Sequence, residues 1–340
     1  MHRRTLLASA GGLAAASLAG CIADSTGAGS PTDDSSDTAT DGDGDATATP
    51  TATDGGTDRS TDTPTPPHDA LFPPGRDDVE TVVWFREVSD PDAALVLEHS
   101  AASVALPDAE ITFTLRNGTD RPFQTNFYDW ALYRWEGGRY HRVAPQAVPQ
   151  PLMQLAPGES HRWRVALGND DRATALRWSE GTEAIAVDPV GGGHYAFAAE
   201  GWWKGQEQTP TYEHKTVCAA RFELDGPRLD LVPSDAVTDT RREGDTVVVS
   251  ADNPRGGEDR TEATYVLTRN DDATGARELI TEQAYREWPL RDALAHAGPD
   301  VREVRVDTAT GVTPIFGVQS DEDPAVTYDG RTYRISAEKR

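Results

Sequence analysis

Residues 111–116 constrain this chain most: Ile111, Phe113 and Leu115 alternate with Thr112, Thr114 and Arg116, and the run stops at Asn117-Gly118. A period of two puts one set of side chains on each face of an extended strand, and an Asn-Gly pair marks a tight turn. His161, Trp163, Val165 and Leu167 repeat the pattern after Pro157-Gly158. Further strands are predicted at 81–88, 94–98, 127–135, 182–187, 194–199 and 216–224. Residues 79–225 thus read as seven to nine strands without an intervening helix, which favours an antiparallel sandwich over a parallel sheet.

After Pro227 the pattern changes, and Pro233 with the polar run to Gly244 reads as a junction. Strands are predicted at 246–251, 263–268 and 301–306. Pro289 suits a helix start, Leu290, Ala293, Leu294 and Ala297 fall at helical spacing, and Gly298-Pro299 stops the run. Residues 278–287 read as a preceding helix that Pro289 breaks. The final pair, 326–328 and 331–335, closes across Asp329-Gly330 and sets Val326, Tyr328, Tyr333 and Ile335 on one face. The order strand-strand-helix-strand-strand predicts a small α+β domain over 228–340, so the whole chain reads as mainly β.

Residues 22–70 hold twelve Thr, five Ser and eleven Asp with a single Arg. Such a segment buries too little apolar surface to offset the entropy of ordering it, so 21–70 is predicted to be a disordered, extended stalk. Asp41, Asp43 and Asp45 mimic half a calcium loop, but the glycine and the closing acid that such a loop needs are missing. Before the stalk, Arg3-Arg4 precedes a weakly apolar, glycine-broken run over 1–20, the layout of an export signal peptide. Leu18, Ala19, Gly20 and Cys21 resemble a lipobox, and the whole segment resembles a twin-arginine lipoprotein signal. That resemblance implies that Cys21 carries lipid, that the membrane is a partner through this anchor, and that the chain sits on the outer face of the cell membrane. Cys218, the other cysteine, is then left without a disulfide partner and reads as a buried thiol beside Ala220, Phe222 and Leu224.

Lys and Arg number 32 against 57 Asp and Glu, a formal charge of −25, which repels a phosphate backbone and excludes nucleic acid as a partner. Beyond residue 70 the basic side chains are 26 Arg and three Lys against 46 acids. Molar salt shortens the screening length to about 3 Å and removes most of that repulsion. Abundant Asp, scarce Lys, the signal and the stalk together resemble the surface lipoproteins of halophilic archaea.

Trp135, Pro157-Gly158-Glu159 before an aromatic strand, and Gly193, Tyr195 and Phe197 are similar in order to immunoglobulin-like modules of prokaryotic surface lipoproteins and of the intracellular proteinase-inhibitor family. The resemblance implies an immunoglobulin-like sandwich over 79–225, with Trp130 or Trp135 as its central tryptophan. The closing hairpin likewise resembles endings of other haloarchaeal exported proteins. Trp202 and Trp203 are the candidate binding residues: adjacent strand positions point to opposite faces, so one core cannot take both. Asn117-Gly118-Thr119 is a candidate glycosylation sequon on a predicted hairpin tip. His161 reads as a satisfied core residue, and Gly191 to Gly193 lack the context of a phosphate cradle.

No nucleophile elbow, zinc helix, Walker loop or dinucleotide fingerprint occurs, so the reading assigns no catalytic residue, metal or cofactor. The expectation is a lipid-anchored binding or scaffold protein without catalysis, its partner a surface protein or glycan. Two alternatives stay open. One is a surface hydrolase of glycan or peptide using Glu207 and Glu213 beside Trp202. The other is a proteinase-inhibitor-like module.

Overall fold

The computed structural model describes residues 64–171, 181–203, 214–253, 260–310, 316 and 325–339. The export signal, Cys21 with Leu18 to Gly20, Arg3 and Arg4, most of the stalk, and Glu207 and Glu213 lie outside the described residues. The alternating segments form strands: β1 (Val79–Trp84), β2 (Leu95–His99), β3 (Ser103–Ala105), β4 (Ala109–Asn117), β5 (Phe123–Glu136) and β6 (Arg139–Ala144). They continue as β7 (Met153–Leu155), β8 (Ser160–Leu167), β9 (Ala184–Val187), β10 (Gly193–Trp203) and β11 (Lys215–Asp225). One sheet runs β1-β11-β10-β5-β6, with β3 beside β11 and β7 beside β5. A second runs β2-β4-β8-β9.

The two sheets bury a common core. Ile111, Phe113 and Leu115 on β4 and Trp163 on β8 are fully buried, as the alternation requires. Phe113 stacks on Phe197 of β10 at 4.2 Å between ring centres, and Trp163 and Trp130 lie 5.6 and 5.8 Å from the same ring. Side chains of this size contribute roughly 1.5–3 kcal/mol each by leaving water. Trp130 is therefore central to this core. Trp135 points the other way, into a second apolar layer with Tyr133, Tyr140, Ala196, Ala198 and Ala219. Phe72, in the segment before β1, caps that layer at 4.7 Å from Trp84 and 4.8 Å from Tyr133.

In the C-terminal part come β12 (Val237–Glu243), β13 (Thr246–Ala251), β14 (Thr261–Arg269) and β15 (Arg277–Glu278), then α1 (Thr281–Tyr285) and α2 (Trp288–Ala295). Strands β16 (Glu303–Thr310), β17 (Ala325–Tyr328) and β18 (Arg331–Lys339) follow. They form one sheet, β12-β13-β16-β14-β18-β17-β15. Pro289 lies in the first turn of α2, and Leu290, Ala293 and Leu294 are buried, as the spacing predicts. Asp329 and Gly330 both take positive φ, 48° and 71°, the conformation of a two-residue hairpin turn. That turn pairs Val326 with Tyr333 and puts both in the core.

Several expectations are corrected. The pairings of β1 and β3 with β11, β8 with β9, β13 with β16 and β15 with β17 are parallel, so the sheets are mixed rather than antiparallel. Turn residues announce only strands joined by short loops, whereas a parallel pair closes through a long connection and leaves no local mark. The polar run before Gly244 forms strand β12, exposed along most of its length at the sheet edge. Among the described residues the C-terminal order is accordingly four strands, two short helices and three strands. The predicted 278–287 helix shortens to α1.

A buried polar hub joins the first core to the helices. Glu282 of α1 is completely buried, and its Oε1 accepts from Arg134 Nη1 and, at 3.1 Å, from Gly191 N. Arg286, also buried, donates to the Glu282 carbonyl at 2.6 Å, and burial holds its guanidinium down to about 10. Ile280, two residues before Glu282, enters the first core. Glu282→Ala is expected to cost about 3–5 kcal/mol, because it removes the buried carboxylate that accepts from Arg134 and from the Gly191 amide. Urea unfolding checks this; a loss below about 1 kcal/mol would contradict it.

Candidate binding site

The structure separates Trp202 from Trp203, as adjacent positions on β10 must be. Trp203 packs against the first core, 5.2 Å edge-to-face from Phe123. Trp202 turns to the opposite face, where its Nε1 donates to Gln124 Oε1 at 2.7 Å. Trp203 then forms one wall of an open cleft of about 460 Å³ with Ala93, Gly118, Thr119, Asp120 and Arg121. The Arg121 guanidinium carbon sits 5.4 Å from the indole centre.

The same cleft contains the residues after Asn117, so the structure brings together two features that the sequence presented separately. Asn117 is not at a hairpin tip: β4 pairs with β2 and β8, and the chain passes after it to β5 in the other sheet. The side chain is completely buried. Its Nδ2 donates to the carbonyls of Arg121 at 2.8 Å and Leu155 at 3.0 Å, while Oδ1 accepts from Thr119 N and Oγ1. Asn117 thus shapes the loop that lines the cleft, and the folded chain turns its Nδ2 inward.

A charged row that the sequence reading did not single out crosses the outer face of the first sheet. Its members are Lys215 on β11, Glu200 on β10, Asp129 on β5 and Arg142 on β6, adjacent strands in that order, with Arg76 and Asp78 from the segment before β1. Arg76 bonds Asp78 at 2.7 Å and Glu200 at 2.9 Å, and Lys215 bonds Glu200 at 2.7 Å and Asp78 at 3.2 Å. The Arg76 hydrogen bond holds the Asp78 carboxyl well below the ordinary carboxylate range. Burial pushes Glu200 upward, but its bonds to Arg76 and Lys215 outweigh that and leave it low. Only the periodicity of four separate strands connects these residues, so no linear spacing announces them.

His161 donates through Nε2 to the Thr182 carbonyl at 2.5 Å and stacks on Phe127 at 3.8 Å; burial keeps the ring below its ordinary pKa. Burial pushes the Cys218 thiol far up, so the thiolate that a nucleophile needs is disfavoured. Gly191 and Gly192 are spent on close approach: Gly191 N faces Glu282, and Gly192 N donates to the Pro227 carbonyl at 2.7 Å. Among the described residues no group of three or more His, Cys, Asp or Glu is arranged to hold a metal ion. No protein-family model, curated protein or solved structure matches the chain.

Two measurements follow from this geometry. Asn117→Ala takes this donor from the Leu155 carbonyl and leaves the Arg121 carbonyl the longer bond from Thr119 Oγ1, at 3.2 Å; it is expected to cost roughly 2 kcal/mol in denaturant unfolding, and a neutral result would show that the loop is not held by this side chain. Asp78 and Glu200 have lowered folded pKa values, so the stability they contribute is fully present above about pH 4 and disappears as pH falls through those lower values. Glu200→Gln is therefore expected to flatten the acid limb of a Tm-against-pH curve, and an equally steep limb would contradict the assignment.

Proposed function

We propose that the chain is a lipid-anchored binding lipoprotein on the outer face of the cell membrane, without chemistry of its own. The observation that carries this reading is the uninterrupted order of Arg3-Arg4, a weakly apolar run, Leu18-Ala19-Gly20-Cys21 and the Thr/Asp-rich 22–70 segment. In it, a thioether at Cys21 holds the chain, and the self-repelling stalk spaces the β-rich part from the bilayer. No helix among the described residues is long and apolar enough to cross a membrane. The excess of 46 acids over 29 bases beyond residue 70 suits a saline exterior.

An immunoglobulin-like relationship for residues 79–225 is part of the proposal. Tyr195, near the start of β10, donates from its hydroxyl to the Gly191 carbonyl at 2.6 Å, four residues upstream. A late-strand tyrosine that bonds back to the preceding loop is a hallmark of that sandwich, and buried Trp130 supplies the central tryptophan. Residues 228–340 supply an α+β partner, with two helices on one sheet.

The Trp203 cleft is the binding surface of this proposal, and a glycan fits it better than a flat protein face. An indole offers a platform for the C–H face of a sugar ring, while Thr119, Asp120 and Arg121 offer donors and acceptors for its hydroxyls. Trp203→Ala is expected to weaken capture on a glycan array in molar salt about tenfold, with Trp202→Ala near wild type. Equal loss in both variants, or retention limited to surface proteins, would turn this assignment down. Cys21→Ser is expected to move the protein from membranes to the medium, and unchanged membrane retention would refute the tether.

A further inference from the structure

The β5–β10 ladder is interrupted at one point only in its register: Ala199 pairs with Trp130 and Gly201 with Thr125. Residues 126–129 therefore stand opposite Glu200 alone. Bulges of this kind re-aim side chains and gather beside functional sites. This one is held from both sides. Asn126 Nδ2 donates to the Pro149 carbonyl at 2.7 Å and its Oδ1 accepts from Tyr128 N at 3.0 Å, while Trp163 Nε1 donates to the Phe127 carbonyl at 3.0 Å. Beside the bulge lies a cleft of about 570 Å³ lined by the charged row, Asp129 included, and by residues of the 146–150 loop.

The charges in this cleft are unequally satisfied. Arg76 and Lys215 are each shared between Asp78 and Glu200 at 2.7 to 3.2 Å. Among the described residues Asp129 has only Arg142 Nη2, at 3.9 Å, and Arg142 already commits Nε to the Pro145 carbonyl at 3.1 Å. Asp129 is the deeper of the two, with 23% of its side chain exposed against 39% for Arg142. Burial and the neighbouring Glu200 raise the Asp129 carboxyl above its ordinary pKa, against the opposing pull of Arg142, Lys215 and Arg76. Tyr133 adds no charge near neutrality, since burial raises its hydroxyl too. The cleft holds three cations and three carboxylates, but Arg76 and Lys215 are bound to carboxylates at 2.7 Å and Arg142 to the Pro145 carbonyl at 3.1 Å, so Asp129 is the charge that an added ion of opposite sign would serve. The space exceeds what a bare ion needs and falls in the range of small-molecule sites. Ala147 and Val148 offer an apolar wall for an alkyl stem.

We propose that this cleft binds an organic cation, an ammonium or guanidinium group on an alkyl stem, with Asp129 as its carboxylate partner. The site is independent of the lipid anchor and of the Trp203 cleft. Binding requires ionised Asp129, so affinity rises with pH through the raised pKa of that group and declines as it takes up a proton.

The test is calorimetric titration of the full chain in molar salt with agmatine and cadaverine as free amines and with a blocked Gly-Arg-Gly peptide. The first two report a small-molecule source of the cation and the third a side chain of a partner. Asp129→Asn is expected to weaken binding about thirtyfold, the scale for removing one member of a desolvated charge pair. Arg142→Gln, which removes the competing cation, is expected to tighten it. The carbon-13 titration midpoint of the Asp129 carboxyl is expected to fall when ligand is present. Binding by none of the three probes, equal affinity in Asp129→Asn with its thermal transition intact, or weaker binding in Arg142→Gln would overturn the proposal.

Discussion

The structure depends on a sheet whose central strands are apolar on both faces. On β10, Tyr195, Phe197 and Ala199 face the first core, while Ala196 and Ala198 face the outer layer. Strand β11 divides in the same way, with Cys218, Ala220 and Phe222 inward and Val217 and Ala219 outward. Such a sheet must be covered twice. The four-stranded sheet covers one side, and the segment carrying Phe72 covers the other, where the small alanines leave it room. Towards one end of the outer face each strand exchanges its apolar residue for a charge: Ala198 gives way to Glu200, Val217 to Lys215, Ala131 to Asp129 and Tyr140 to Arg142. The charged cleft is therefore the same alternation continued past the limit of the apolar cover.

Buried and exposed charges have separate duties in this chain. Exposed pairs such as Arg241–Glu243 and Arg269–Asp271 are screened by salt and contribute little to stability. The Arg134–Glu282 pair, with both side chains almost wholly buried, keeps its strength in brine. Glu282 also accepts from the backbone amide of Gly191, where a Cβ would come within 2.4 Å of Leu229 N. A protein with a large acidic excess thus ties its helices to its first sheet with an arginine that bulk salt does not reach.

Much of the fold was legible from residue order. The strand at 111–116, the α2 start at Pro289 and the Asp329-Gly330 hairpin are local features, set by period and turn chemistry within a few residues. What escaped the reading is not local. Strand β12 has polar residues on both faces because it lies at an edge, so it carries no alternation. Parallel partners depend on long connections. Of the site, the opposition of Trp202 and Trp203 followed from strand geometry, but the burial of Asn117 did not, because its acceptor at Leu155 is 38 residues away. The charged row needed the sheet order before Asp129 and Glu200 became neighbours.

In the proposed function a binding module stands in salt water at the end of a stalk, and its two clefts would meet a glycan and an organic cation there. The most direct test of that function is the intact mass of the amino-terminal peptide from protein recovered in the membrane fraction. The account predicts a mature chain beginning at Cys21 with two lipid chains on the thiol. A chain that keeps residues 1–20 and an unmodified Cys21 would contradict it.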